Sequence, residues 1–358
     1  MKHVLDEQFP LALSYDDVLL VPQFSDIKSR SDVDLSTHIS PKLKLKIPMI
    51  STKMDTITGV EMAVAMGKLG GMGILPRFDT LDIQVANVKK VREAGVVAAA
   101  AVGVKNGYME RAEALIQAGA TVIDIDVAHG HMKQTIEATI NIKRRFGDSI
   151  TLISGITSTY ECADDLYTAG ADAVLVGVGS GSICTTRIMT GFGVPGLTSL
   201  VETARAAKKH KKTFIPDAGI RNSGDIVKAL ATGASAIVGG NIFAGTDETP
   251  GDIIEYEGKL YKKYNGSASQ AEKINQVEKD PTDKPAAYVV HVEGVEGLMA
   301  YRGPISDWVN GLLAGVRSGL SYAGARNIPE LWEKAKFIRV TTGGLKESNA
   351  HDIIIKLS

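Results

Sequence analysis

Eight short apolar segments, repeated between residues 47 and 240, constrain the fold of this chain more than any other feature of its sequence. They are Ile47–Ser51, Gly71–Pro76, Val96–Gly103, Val122–Asp126, Thr151–Gly155, Ala173–Gly177, Phe214–Ala218 and Ala236–Gly240. Amphipathic segments of helical periodicity separate them: Glu61–Leu69, Ile83–Ala94, Met109–Ala118, Thr135–Phe146, Ala163–Ala169, Leu200–Lys208 and Asp225–Ala231. Apolar strands that alternate with helices indicate a parallel sheet covered on both faces. Eight such units predict an α/β fold of the (β/α)8 type, a TIM barrel, because a doubly wound open sheet rarely has eight regular repeats.

Composition excludes several classes of protein. The 358 residues are 44% hydrophobic and 23% charged, and their net charge of −1 gives no electrostatic footprint for nucleic acid. No segment approaches the roughly 18 consecutive apolar residues of a membrane span. The two cysteines, Cys162 and Cys184, are too few for a disulfide framework and fit a reducing compartment. The acidic N-terminus does not resemble a signal peptide, so we expect a cytoplasmic protein.

The domain organisation follows from the same rhythm. We predict one catalytic TIM-barrel domain over residues 1–358, with the eight strands of the barrel core within 46–250. Residues 251–303 interrupt the repeat and are predicted to form an insertion. Residues 304–358 are predicted to form a C-terminal helix and tail.

Polar and glycine-rich segments follow five of the predicted strands, on the face where TIM barrels place their active sites. They are Ser51–Asp55, Asp126–His131, Gly177–Arg187, Asp217–Arg221 and Gly239–Asn241. Glycines after strands seven and eight let a backbone approach a phosphate, and a carboxylate such as Asp217 accepts hydrogen bonds from a sugar diol. Cys184 follows a glycine-rich loop, although a single cysteine is more often a buried, inert side chain. From the residues alone we expect a phosphorylated, ribose-like ligand with a thiol beside it.

A family resemblance rests on Gly179–Arg187, Thr190–Pro195, Asp217–Asp225 and Phe243–Gly251, with Ser14–Pro22 and Met54–Thr56 in agreement. Over essentially the whole chain, these segments resemble the inosine monophosphate (IMP) dehydrogenase and guanosine monophosphate (GMP) reductase family. The dehydrogenases of that family usually carry two regulatory CBS modules after the second strand. Here residues 73–78 lead directly into a helix, so the CBS insertion is absent.

The resemblance implies a mechanism and a set of site residues. A cysteine thiolate, here Cys184, adds to C2 of the purine and forms a covalent thioimidate, while Thr186 and Glu293 handle the protons. Asp126 is implied at the nicotinamide ribose of NADP(H) or NAD(H). The implied purine nucleotide contacts are Ser51, Met54, Ser182, Asp217, Gly219, Gly240, Asn241, Tyr264, Gly266 and Ser267. Asn241 stands where the family typically has serine.

Two reactions of this family remain open. The resemblance implies that the insertion 251–303 carries a flap, here Gln270–Val290, which has no clear periodicity. This segment contains Tyr288 but no arginine, the residue that the dehydrogenases use to activate water. Residues 264–270 also resemble those of reductases. We therefore favour GMP reductase, which converts GMP and NADPH to IMP, ammonia and NADP, over IMP dehydrogenase, which converts IMP and NAD to xanthosine monophosphate (XMP).

The C-terminal tail, Gly344–Asp352, resembles that of the dehydrogenases, which completes a potassium site against a neighbouring subunit. The resemblance implies K⁺ ligands from the Gly179, Gly181 and Cys184 carbonyls and from Glu347, Ser348 and Asn349, and it implies a homotetramer. Two further classes stay as alternatives. A non-catalytic nucleotide-binding protein has no use for a thiolate, and a flavin-dependent barrel oxidoreductase needs no cysteine in this loop.

Overall fold

The computed structural model describes residues 9–279 and 286–348, and it confirms the predicted (β/α)8 barrel. Eight parallel strands are each paired with the next along the chain, and the eighth pairs with the first. A parallel bridge between Asp217 and Val238 joins the seventh and eighth strands and closes the barrel. The strands are β1 (Met49–Ser51), β2 (Met72–Leu75), β3 (Ala99–Val102), β4 (Val122–Ile125), β5 (Thr151–Thr157), β6 (Ala173–Val176), β7 (Thr213–Pro216) and β8 (Ile237–Gly239).

Eight helices surround the barrel. They are α1 (Val60–Lys68), α2 (Leu81–Glu93), α3 (Tyr108–Ala118), α4 (Lys133–Phe146), α5 (Tyr160–Thr168), α6 (Gly196–His210), α7 (Ser223–Ala231) and α8 (Ile305–Tyr322). Several begin one to four residues before the predicted start, and in α5 and α7 a polar capping residue fixes where the helix begins. The Thr159 side chain, for example, accepts the Cys162 N–H at 3.3 Å and so starts α5 at Tyr160. Residues 76–80 join β2 to α2 with no inserted domain, as predicted.

The segment assigned to the C-terminal helix and tail contains the eighth barrel helix. Helix α8 begins only at Ile305, after the insertion, and packs against both α7 and α1. Its buried face includes Val309, Leu313 and Val316. The insertion therefore interrupts the last β/α unit and does not follow a completed barrel.

The insertion consists of a small antiparallel sheet and the flap. The strands Ile254–Tyr256, Lys259–Asn265 and Glu296–Ala300 form the sheet, and the flap lies between the last two. The flap contains a helix, Gln270–Lys279, and a one-turn helix, Ala286–Val290. Apolar periodicity misses the first of these because polar contacts fix it: Glu272 Oε1 accepts a hydrogen bond from Asn265 Nδ2 at 2.9 Å, and the Ser269 side chain accepts the Glu272 N–H.

The remaining elements close the two ends of the chain onto the barrel. The strand Val18–Leu20 pairs antiparallel with Phe337–Arg339, and Thr37–Ser40 pairs with Leu43–Leu45 in a hairpin. Short helices complete the fold at Tyr15–Asp17, Arg30–Asp32, Gly147–Ser149, Thr186–Thr190, Ile328–Lys334 and Thr342–Glu347. No helix within the described residues is both long and apolar enough to cross a bilayer.

Ala218, the second residue after β7, has a backbone conformation that glycine adopts more easily. Its φ of +101° is unfavourable for a residue with a Cβ. We expect Ala218→Gly to raise the free energy of unfolding by about 1 kcal/mol, measured by urea unfolding. Ala128→Gly is the matched control, since Ala128 also follows a barrel strand but is not among the positive-φ residues. In that control the free energy of unfolding is expected to fall by about 0.5 kcal/mol. A lower free energy of unfolding in Ala218→Gly would contradict the prediction.

Candidate active site

The glycine-rich loop after β6 is fixed by backbone hydrogen bonds to a distant segment of the insertion. Cys184 and Gly294 form an antiparallel bridge. On either side of it, the Val295 N–H donates to the Ile183 carbonyl and the Thr185 N–H donates to the Glu293 carbonyl, each at 3.0 Å. These bonds place the side chain of Glu293 beside the loop that carries the cysteine.

Three side chains form a continuous chain of hydrogen bonds at this point. Cys184 Sγ donates to Thr186 Oγ1 at 3.1 Å, and Thr186 Oγ1 donates to Glu293 Oε2 at 2.7 Å. Cys184 is half-buried and reaches the cavity, whereas Cys162 is buried in the core. Burial raises the pKa of the Cys162 thiol to about 11, so that thiol is inert at neutral pH. The arrangement can remove a proton from Cys184 and store it on Glu293.

A cavity of about 610 Å³ lies at the C-terminal mouth of the barrel, a volume that suits a small ligand. Its wall brings together most of the residues predicted for the site. Those present are Met54, Asp126, Gly179, Gly181, Ser182, Cys184, Thr186, Asp217, Gly219, Gly240, Asn241, Tyr264, Gly266, Ser267 and Glu293.

Three of the predicted residues that the structure describes do not lie in this wall. Ser51 is fully buried and accepts a hydrogen bond from the Thr58 hydroxyl at 2.9 Å, and the next residue, Thr52, lines the cavity instead. Glu347 ends the last described helix, and the Ser348 hydroxyl donates to the Gly344 carbonyl of that helix. Asn349 lies outside the described residues.

One side of the cavity has the features expected for a phosphate site. The Ser182 and Tyr264 hydroxyls lie 3.4 Å apart, and burial raises the pKa of Tyr264. A Cβ placed on Gly240 would lie 3.2 Å from the Tyr264 hydroxyl, which explains the glycine at this position. Arg302 donates to the carbonyls of Asn241 and Ile242 at 3.0 Å each and so holds the turn after β8. Hydroxyls and a fixed turn can together bind an anion.

The loop after β6 also approaches the end of β7 closely. A Cβ on Gly177, whose φ is +139°, would lie 2.5 Å from the Asp217 carbonyl oxygen. Only glycine allows this approach, which brings the carboxylate of Asp217 and the thiol of Cys184 to the same cavity.

A cluster of charged side chains at the base of the mouth was not predicted from the sequence. Lys53 Nζ, on the loop after β1, lies 2.6 Å from Asp217 Oδ2, 3.5 Å from Asp124 Oδ2 and 3.9 Å from Asp126 Oδ1. Arg77 Nε lies 2.9 Å from Asp126 Oδ2. The sequence feature that could have indicated this cluster is Asp124, a charged residue within an otherwise apolar strand.

Burial and mutual interaction set the charges of this cluster. Burial raises the pKa of Asp124 to about 7, against the opposing effect of Lys53. Burial opposes the charge of Lys53, but the carboxylates of Asp124, Asp217 and Asp126 outweigh it and raise the pKa of Lys53. Lys53 is therefore a permanent cation at the cavity wall.

The flap lies over one edge of the mouth. Lys273 donates to the carbonyls of Tyr288 and His291, and its Nζ lies 4.4 Å from the centre of the Tyr288 ring. Lys279 pairs with Asp55 at 3.4 Å and with Asp79 at 2.8 Å, which ties the flap helix to the loops after β1 and β2. Lys273, Tyr288 and His291 all line the cavity, so the flap contributes directly to the site.

Comparison with known proteins identifies the family. A sequence model of the IMP dehydrogenase / GMP reductase domain matches residues 12–351. This chain belongs to that family, whose members are NAD(P)-dependent oxidoreductases of purine nucleotides.

Individual relatives agree with this assignment. The chain is 34% identical to inosine-5'-monophosphate dehydrogenase of Nitrosopumilus maritimus, over 97% of this chain and all of the relative. It is 33% identical to the same enzyme of Aquifex aeolicus, over 98% and 97% of the two chains. The crystal structure of a cysteine-to-alanine variant of GMP reductase from Trypanosoma brucei, in complex with guanosine 5'-monophosphate, superposes with a TM-score of 0.90. It is 29% identical and covers 98% of this chain and 99% of its own.

Proposed function

We propose that this protein is a GMP reductase, which converts GMP and NADPH to IMP, NADP and ammonium through a covalent bond to Cys184. The observation that carries the proposal is the hydrogen-bonded chain from Cys184 through Thr186 to Glu293. The flap supports the reductase over the dehydrogenase because residues 270–290 contain no arginine to activate water. The free thiols of this protein suit a cytoplasmic location.

The nucleotide would bind along the residues that line the cavity. Asp217, which carries two acceptor oxygens, accepts the ribose hydroxyls. The phosphate would lie at the Ser182 and Tyr264 hydroxyls, and the purine base would lie beside the Cys184 thiol. We assign the phosphate and base contacts to residues that line the cavity: Ser182, Gly219, Gly240, Asn241, Tyr264, Met54, Gly266 and Ser267.

Removal of the amino group is the first half of the reaction. Cys184 Sγ forms a bond to purine C2, which is electrophilic because it lies between two ring nitrogens, and the C2=N3 electron pair moves to N3. The thiol proton passes through Thr186 to Glu293. The same pair then returns a proton to the amino group, which leaves as ammonia while the C2=N3 bond re-forms. The product of these steps is the thioimidate.

Reduction releases the nucleotide. The dinucleotide, when bound, supplies a hydride to C2. The electron pair of the C2–S bond returns to Cys184, and IMP is released. Asp126 fits the nicotinamide ribose, because its carboxylate lines the cavity and Arg77 holds it in place at 2.9 Å. Each turnover consumes one hydride and one proton as ammonia is formed, and a second proton when the ammonia becomes ammonium.

IMP dehydrogenase is the second candidate, favoured by the curated relatives of that name. In that reaction the hydride leaves C2 of IMP, and water hydrolyses the thioimidate to XMP. A paired absorbance assay at 340 nm separates the two. We expect NADPH to be oxidised in the presence of GMP, with release of ammonia, and no reduction of NAD in the presence of IMP. The opposite pattern would establish the dehydrogenase, and binding without turnover in either assay would indicate a nucleotide-binding protein.

We also propose that potassium binds the loop after β6 and that the enzyme is a homotetramer. The loop offers hard oxygen donors: the Gly181 carbonyl accepts the Cys184 N–H at 3.1 Å and keeps a second lone pair. The Gly179 and Cys184 carbonyls, with Glu347, Ser348 and Asn349 of a neighbouring subunit, would complete the site. Exchange of K⁺ for Na⁺ is expected to lower turnover, and sedimentation is expected to show a tetramer. A monomer with full activity would exclude this site.

A further inference from the structure

Lys53 is a buried cation at the wall of the cavity that the reaction above does not use. It is 5% exposed, and its ammonium group faces carboxylates from two separate parts of the barrel mouth. Asp217 follows β7, and Asp126 follows β4, so the two acidic side chains come from strands that are not neighbours in the barrel. The single ammonium group connects them.

The cluster has more negative than positive groups. Within residues 9–279 and 286–348, Asp124, Asp126 and Asp217 form ion pairs with two cations, Lys53 and Arg77, and Arg77 pairs with Asp126 alone among the three. Asp124 is fully buried, and neither of its oxygens has a hydrogen-bond partner within the described residues. Within the described residues, Lys53 is the cation that pairs with Asp217, so its loss would leave that carboxylate without an ion-pair partner.

We propose that Lys53 is a positioning residue that couples the nucleotide site at Asp217 to the dinucleotide site at Asp126. The proposal rests on the function proposed above, which assigns a ribose to each carboxylate. Lys53 Nζ lies 2.6 Å from Asp217 and 3.9 Å from Asp126, and so fixes the two carboxylates relative to each other. A loss of Lys53 therefore disturbs both sites together, although Lys53 itself donates its short hydrogen bond only to Asp217.

Equilibrium binding tests the coupling without turnover. In a Cys184→Ala background, the Kd of GMP and the Kd of NADPH or NADH are measured by isothermal titration calorimetry. The variants are Lys53→Met, Asp217→Asn and their combination. We expect Lys53→Met to raise the Kd of GMP and the Kd of the dinucleotide by about tenfold each. In the Asp217→Asn background, the same change is expected to raise the Kd of GMP by less than about threefold, because the carboxylate through which Lys53 acts on GMP is already removed.

Lys262→Met is the matched control for the loss of a buried lysine. Lys262 is 3% exposed and donates to the Asp247 and Thr249 carbonyls away from the cavity wall. We expect it to lower stability and to leave both affinities within about twofold. Lys53→Gln, which removes the charge but keeps a donor, replaces Lys53→Met if that variant does not fold, with the same expected losses.

The outcomes separate this proposal from the proposed function. The coupling would be overturned if Lys53→Met raised the Kd of one ligand only or of neither. It would also be overturned if the effects of Lys53→Met and Asp217→Asn on the Kd of GMP were independent in the double variant. A wild-type enzyme that binds both ligands but does not oxidise NADPH with GMP would overturn the reductase and leave the binding result as it stands.

Discussion

Cys184→Ala is expected to reduce turnover by at least about 1,000-fold while the Kd for GMP stays within about tenfold of the wild-type value. The thiol forms a bond to the substrate only during the reaction, whereas the nucleotide is held by groups on other loops. Steady-state assays with NADPH and calorimetry with GMP measure the two quantities. A covalent adduct of the wild-type protein, trapped by acid quench and detected by mass spectrometry, should be missing from the variant.

Cys162→Ala is the natural control. This thiol lies on α5, is buried in the core and does not line the cavity. We expect its turnover to stay within about twofold of the wild type. Activity retained in Cys184→Ala would exclude the covalent mechanism, since Cys184 is the only cysteine in the cavity wall among the described residues.

Thr186→Val and Glu293→Gln are each expected to lower kcat by about 100- to 1,000-fold with little change in the KM for GMP. Each change breaks the proton path between the thiol and the leaving amino group. Because the two residues act as one unit, we expect the kcat of the double variant to be at most about threefold lower than the kcat of the slower single variant. Thr186→Ser keeps the hydroxyl and is expected to recover most of the activity.

Thr185→Val provides the comparison for Thr186→Val. The two threonines are adjacent, but Thr185 does not line the cavity, and its bond to Glu293 is made by the backbone. The Thr186 hydroxyl, in contrast, hydrogen-bonds to Cys184 Sγ and to Glu293 Oε2. Equal losses in the two valine variants would mean that the loop had been disturbed rather than the proton path. A loss confined to KM would assign Thr186 to binding.

The barrel could be predicted because its strands are buried on both faces. Each of the eight apolar runs became a strand, with β5 extended to Thr157 beyond the predicted Gly155. Helix starts were less predictable, since a polar cap such as Thr159 or Asn222 decides them. The flap helix was missed because its contacts are polar.

The site was predictable only where a residue lies next to a recognisable strand end. Asp217 and Asp126 directly follow β7 and β4, and both line the cavity. The pairing of Lys53 with Asp217 joins residues 164 positions apart, and no local pattern carries such a contact. Ser51 and Thr52 show the other limit, because a shift of one residue at the end of a strand turns a side chain from the cavity to the core.

The bridge between Cys184 and Gly294 has a consequence for how such enzymes diversify. The bridge itself is formed by backbone atoms, and a Cβ on Gly294 would lie 3.2 Å from the Ser269 amide nitrogen and 3.4 Å from the Gly266 Cα. The nucleophile and its proton acceptor are thus held in register without help from the side chains of the flap. Evolution can therefore exchange flap side chains, and with them the second half of the reaction, while the thiol and its carboxylate stay in place.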